Sequence, residues 1–156
     1  MPYSSLAVAN TFIARHGKTH DITHMKVQKL LYFAYGWWLV KHNEQLLSEA
    51  PSMWRYGPIF EKLYKAYAAY GHAPLRAPVG ILFSDPVTVP EEDHDTLTFI
   101  DQVFDFYRGY DEKELSSLAS HIGSPWRDEA QANSFRVPPG SKIPDWRIRK
   151  HFARQL

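Results

Sequence analysis

Residues 25–40 read MKVQKLLYFAYGWWLV. At helical spacing Val27, Leu30, Leu31, Ala34 and Trp38 share one face, and Phe33, Trp37 and Val40 carry the apolar surface round the cylinder. A helix with so little polar surface belongs in the middle of a domain, so Leu31, Phe33, Trp37 and Trp38 are expected to be buried. Gly36 in its interior costs on the order of 1 kcal/mol relative to alanine. The use that offsets this cost is close approach of another helix or of an aromatic ring.

Amphipathic segments follow on either side. Residues 3–15 predict a first helix, with Ser4 or Ser5 as its cap, and Asp21 or Thr23 caps the central one. Residues 46–53 read as a loop with a short extended piece leading into Trp54-Arg55-Tyr56, broken at Gly57. Pro58 suits the first turn of a third helix, where its missing donor costs nothing, and Phe60, Leu63, Tyr64, Tyr67 and Tyr70 follow at spacings of three and four until Gly71. Five prolines or glycines between 74 and 90 punctuate a connector with two β-prone pieces, 80–83 and 87–89, that predict at most a small hairpin. Residues 93–107 return to helical spacing. Asp111 with Glu114 has capping-box spacing ahead of a fifth helix, Ser124-Pro125 starts a short sixth through 132, and Pro144 opens a last one. The expectation is a mainly α, single compact domain spanning 1–156, built around the central helix, with at most a minor β-hairpin.

Composition narrows the function. With 156 residues and 44% hydrophobic side chains the chain is long enough for a substantial core. It has no cysteine, which excludes disulfides, thiolate metal clusters and a cysteine nucleophile and fits a reducing cytoplasm. The apolar run is too short to span a bilayer, and the N-terminal residues lack the basic start and apolar core of a signal peptide. A net charge of +1 offers no bulk attraction to nucleic acid. Basic residues do gather at Arg147, Arg149, Lys150, His151 and Arg154, but a solvated helix face with cations near its C-terminus explains them as well.

His16, His20 and His24 recur every four residues, yet Gly17 and the turn at 19–21 interrupt any helix that would align them as ligands. The pairs His20-Asp21 and His94-Asp95 invite comparison with helical metal phosphohydrolases, which need further ligands from separate helices. No nucleophile elbow and no phosphate loop is present. No metal or cofactor is therefore expected, and a binding module is favoured over an enzyme.

Three blocks occur in order along the chain: Lys29-Leu30-Leu31-Tyr32-Phe33; Trp54 with Tyr56-Gly57-Pro58; and His121 with Pro125-Trp126. Together they resemble the Panacea domain, the group of SocA-like antitoxins and phage-associated GepA-like proteins, although Ile59 stands where the family often has valine. The resemblance implies a cytoplasmic antitoxin, of a bacterium or prophage, that binds and neutralises a protein toxin from a neighbouring gene. Alternatives from other classes are an adaptor delivering a bound protein to a protease and the metal phosphohydrolase. Aromatic side chains with polar tips favour protein interfaces, so Tyr32, Tyr35, Arg55, Tyr64 and Tyr67, on or beside the first two blocks, are the expected partner-binding residues. His121 and Trp126, on either side of a tight corner, are expected to approach each other, with His121 bonded to backbone.

Overall fold

The computed structural model describes residues 2–156. The helices are α1 (Ser5–His16), α2 (His24–His42), α3 (Glu61–Tyr67), α4 (His94–Tyr107), α5 (Glu112–Ser120), α6 (Pro125–Ala132) and α7 (Asp145–Ala153). A two-stranded antiparallel hairpin, β1 (Ser52–Trp54) and β2 (Gly57–Ile59), lies between α2 and α3. The chain is thus mainly α with one small β element among the described residues.

The caps follow the side-chain chemistry. Ser4, Thr23, Asp93, Asp111 and Ser124 each accept a hydrogen bond from the third amide of the helix they precede, and Asp111 with Glu114 completes a reciprocal capping box. Pro125 sits in the first turn of α6, where no donor is wanted.

α2 is the hub, packed against α1, α3, α4, α5, α7 and β2. Leu30, Leu31 and Ala34 are wholly buried, Phe33 and Trp38 nearly so, and Trp37 half-buries its ring while donating its indole N–H to the Tyr107 hydroxyl at 2.8 Å. Gly36 meets an aromatic ring: a Cβ there would sit 2.2 Å from the Phe152 side chain, so α7 crosses α2 at a notch only glycine leaves open. Tyr35 strengthens the same junction by donating its hydroxyl to Asp145 at 2.7 Å.

Two expectations are corrected. Pro58 does not open a helix; it lies in β2 opposite Met53, and α3 begins at Glu61. Met53 N–H points away from β2, to Ser141 O at 2.7 Å. The Met53–Pro58 pair therefore exchanges no ladder bonds, and proline loses nothing there. The connector pieces at 80–83 and 87–89 form no strand pair. Side chains of α1 hold the second piece and the residue before the first: Asn10 bonds both Val79 and Val87, and Thr11 accepts Val89 N–H.

No helix among the described residues is long and apolar enough to cross a membrane.

Candidate functional site

Gln28 and Lys29, one helical step apart on α2, hold the hairpin from beneath. Gln28 acts as a surrogate strand, accepting Phe60 N–H at 2.9 Å and donating to Phe60 O at 3.2 Å. The buried Lys29 amine donates to Pro58 O at 2.9 Å. Burial pulls the Lys29 pKa down to about 8, with the Glu112 carboxylate acting in the opposite sense. On its other edge β1 is fastened to the 141–143 segment: Ile143 N–H reaches Pro51 O, and the Lys142 amine donates to Ser52 Oγ at 2.8 Å.

The register pairs Trp54 with Gly57, which leaves Arg55 and Tyr56 as the two-residue turn. Gly57 has φ +122° and would place a Cβ 3.1 Å from the Lys29 amine. Both the backbone and the space below it thus call for glycine. The supported turn lifts Arg55 and Tyr56 into solvent, Tyr56 being 73% exposed with the Arg55 guanidinium 5.5 Å from its ring centroid. Trp54 packs on Tyr64 at 4.6 Å between centroids, and its carbonyl accepts the Trp126 indole N–H at 2.8 Å. Hairpin, α6 and the 135–140 segment enclose an open groove of about 560 Å³, lined chiefly by Trp54, Arg55, Glu61, Trp126, Phe135 and Pro139. Its aromatic walls, one guanidinium and one carboxylate suit a protein segment better than a small reactant.

Only part of the expected site assembles here. Arg55 lies at the groove and Tyr64 beneath its Trp54 wall. Tyr32, Tyr35 and Tyr67 are in the core, and as partner-binding residues they are corrected. The reason is that α2 and α3 turn those rings towards α7 and α1, where two of the three hydroxyls find internal partners. Tyr35 bonds Asp145 and receives Gln45 Nε2; Tyr67 donates to Asn10 Oδ1 at 2.6 Å. Burial raises the pKa of all three phenols, with the Asp145 hydrogen bond adding to it for Tyr35. Leu30, Leu31 and Phe33 are likewise core residues. His121 is exposed at the end of α5 with Nδ1 3.0 Å from Leu118 O, and borders a different groove with Phe106, Tyr110 and His151, while Trp126 turns to the hairpin. The two rings do not meet. Glu61, Phe135 and Pro139 were missed: Ser134 and Phe135, both at positive φ, fold the 133–143 loop back on α6, and neither residue type announces that conformation in the sequence.

The regularly spaced histidines occupy unlike surroundings. His16 stacks on Phe104 at 4.0 Å and pairs with Asp101, His20 meets the edge of Phe104, and His24 is buried against Gln28 and Tyr64. Asp21 is taken by Arg76 at 2.6 Å. In the C-terminal basic cluster, Arg147 pairs with Glu129 at 2.7 Å and covers Trp146. No group of three or more acidic or histidine side chains placed for a metal occurs among the described residues.

Fold and groove together define a mainly helical domain with an open aromatic surface on a hairpin turn. The chain belongs to the family described as Antitoxin SocA-like, Panacea domain, which matches residues 27–127 and so takes in the hairpin and Trp126. Antitoxin SocA of Caulobacter vibrioides (strain NA1000 / CB15N) is 27% identical over 154 residues, covering 96% of this chain and 82% of that protein. No solved structure matches.

Proposed function

We propose that this chain is an antitoxin that neutralises a protein toxin from a neighbouring gene by direct contact, as a single non-enzymatic domain acting in the cytoplasm. The family and the similarity to Antitoxin SocA support the antitoxin role. The observation that carries direct contact is the turn Arg55-Tyr56, held out into water by a buried lysine beside an aromatic groove. Exposed tyrosine and arginine on a rigid support are the side chains that anchor protein interfaces.

The test is growth rescue against the induced toxin, with binding of the purified pair measured by calorimetry. Arg55→Glu and Tyr56→Ala each remove side chains already in solvent, so melting temperatures stay at the parent value. Each weakens binding by ~2 kcal/mol or more, about thirtyfold, and impairs rescue. Tyr67→Phe, in the core, leaves binding as it was. If Arg55→Glu and Tyr56→Ala both bind like the parent, the hairpin turn is not the contact. Toxin abundance followed in the same cells separates simple blocking from delivery to a protease, which would make the toxin disappear faster when the antitoxin is present.

A further inference from the structure

Residues 79–87 leave the body of the domain and return to it at one point. Asn10, fully buried on α1, closes the neck: its Nδ2 donates to Val79 O and Val87 O, both at 2.9 Å, and its Oδ1 accepts Val79 N–H at 2.9 Å and the Tyr67 hydroxyl at 2.6 Å. Thr11 extends the closure by accepting Val89 N–H at 2.9 Å. An amide that spends three bonds on a loop base and is itself fixed by Tyr67 of α3 holds that loop in one place.

What the loop presents is apolar. Ile81, Leu82 and Phe83 stand at its tip, Leu82 91% exposed and Phe83 102% exposed. Leu82 has φ +53°, a conformation costly for a branched side chain, and the turn around it is closed by Ser84 N–H to Ile81 O at 3.1 Å. Solvation and backbone both disfavour this arrangement, and the Asn10 neck maintains it. A convex Leu-Phe tip is complementary to a concave apolar pocket.

Charge identifies the owner of that pocket. From residue 77 to residue 107 there is no lysine or arginine, while Asp85, Glu91, Glu92, Asp93, Asp95, Asp101 and Asp105 all fall in this stretch. Asp85, Glu91, Glu92 and Asp95 are exposed. Asp101 is paired with Arg15 at 2.6 Å and lies 2.8 Å from His16 Nε2, and Asp93 accepts the Tyr3 hydroxyl. Asp105 faces Arg108 at 4.0 Å. Asp85, Glu91, Glu92 and Asp95 repel an anionic bilayer and attract a basic protein surface.

We propose that the 80–86 loop is a second docking element, a Leu82-Phe83 wedge that seats in an apolar pocket ringed by basic residues on the toxin. This rests on the antitoxin reading and adds to it the chemistry of the toxin surface. The experiment uses the full chain and the neighbouring-gene toxin, with calorimetry at low and raised salt. Leu82→Ser with Phe83→Ser is expected to weaken binding by about thirtyfold or more at an unchanged melting temperature. Asp85→Lys with Glu92→Lys is expected to slow association and to flatten its salt dependence. If the parent binds and the serine variant binds equally well, the wedge is overturned while the antitoxin reading stands. A parent that neither binds nor rescues ends both. Light scattering and flotation with phosphatidylglycerol vesicles complete the test. A dimer, or vesicle binding, that is lost in the serine variant would assign the wedge to a second copy or to lipid and overturn the proposal.

Discussion

The Tyr32 ring packs on Phe33 and Phe152, and its buried hydroxyl has no protein hydrogen-bond partner among the described residues. Tyr32→Phe is therefore expected to leave stability unchanged or to raise it by up to about 1 kcal/mol, and to leave rescue intact. A urea denaturation midpoint checks it, and a marked loss would mean the hydroxyl is bonded after all. Tyr35→Phe should instead destabilise, since that hydroxyl bonds a carboxylate. At this scale the sequence told aromatic from aliphatic but not buried from exposed. The spacing of Tyr32, Tyr35 and Tyr67 marks helix faces, and which face meets α1 or α7 depends on partners more than fifty positions away, such as Asn10 and Asp145. Arg55 was easier to place, because a guanidinium with no acidic neighbour in the sequence stays in water whether the backbone there is extended or turned.

Among the elements, α2 and its neighbours were well announced. Capping side chains and apolar periodicity are local, and they located the start of every helix but α3 to within a residue or two. Gly36 was readable too, as a position where only a notch offsets the loss in helix propensity. Gly36→Ala tests that junction. Propensity alone favours alanine by about 1 kcal/mol, whereas overlap with the Phe152 ring at 2.2 Å opposes it. Overlap is expected to win, with a net loss of about 1–3 kcal/mol in denaturation and far-UV helicity retained. A raised midpoint would show that α7 does not cross there. The hairpin was misread because proline suits a helix start and a strand position whose N–H points outward equally well. The choice was made by Lys29, Gln28 and the 141–143 segment, none of which neighbours Pro58 in sequence. The Asn10 neck is invisible for the same reason.

Over the whole molecule, two buried bases shape how stability varies with pH. Burial lowers the His24 pKa from 6.5 to about 4, against a weaker opposing pull from Glu112. Between these values the unfolded chain takes up a proton that the folded one refuses, so stability falls as pH drops through that window, by up to about 3 kcal/mol. Lys29 acts at the other end. Its folded pKa of about 8 lies below 10.5, so the folded amine gives up its proton first and stability from this group rises as pH climbs between them. Urea midpoints across pH should show both slopes, His24→Gln flattening the acidic one and Lys29→Met the alkaline one. Parallel curves for parent and variants would assign the slopes to other groups. The crossing of α7 on α2 also sets a timetable. Tyr35 and Asp145 are 110 positions apart, and the notch at Gly36 is filled only by Phe152. A ribosome must therefore add roughly a hundred residues after α2 before that helix is fully covered, and until then the nascent chain carries bare apolar surface. Slowed translation is then expected to lower the yield of folded protein through proteolysis of the unfinished chain, which a pulse-chase at reduced elongation rate checks.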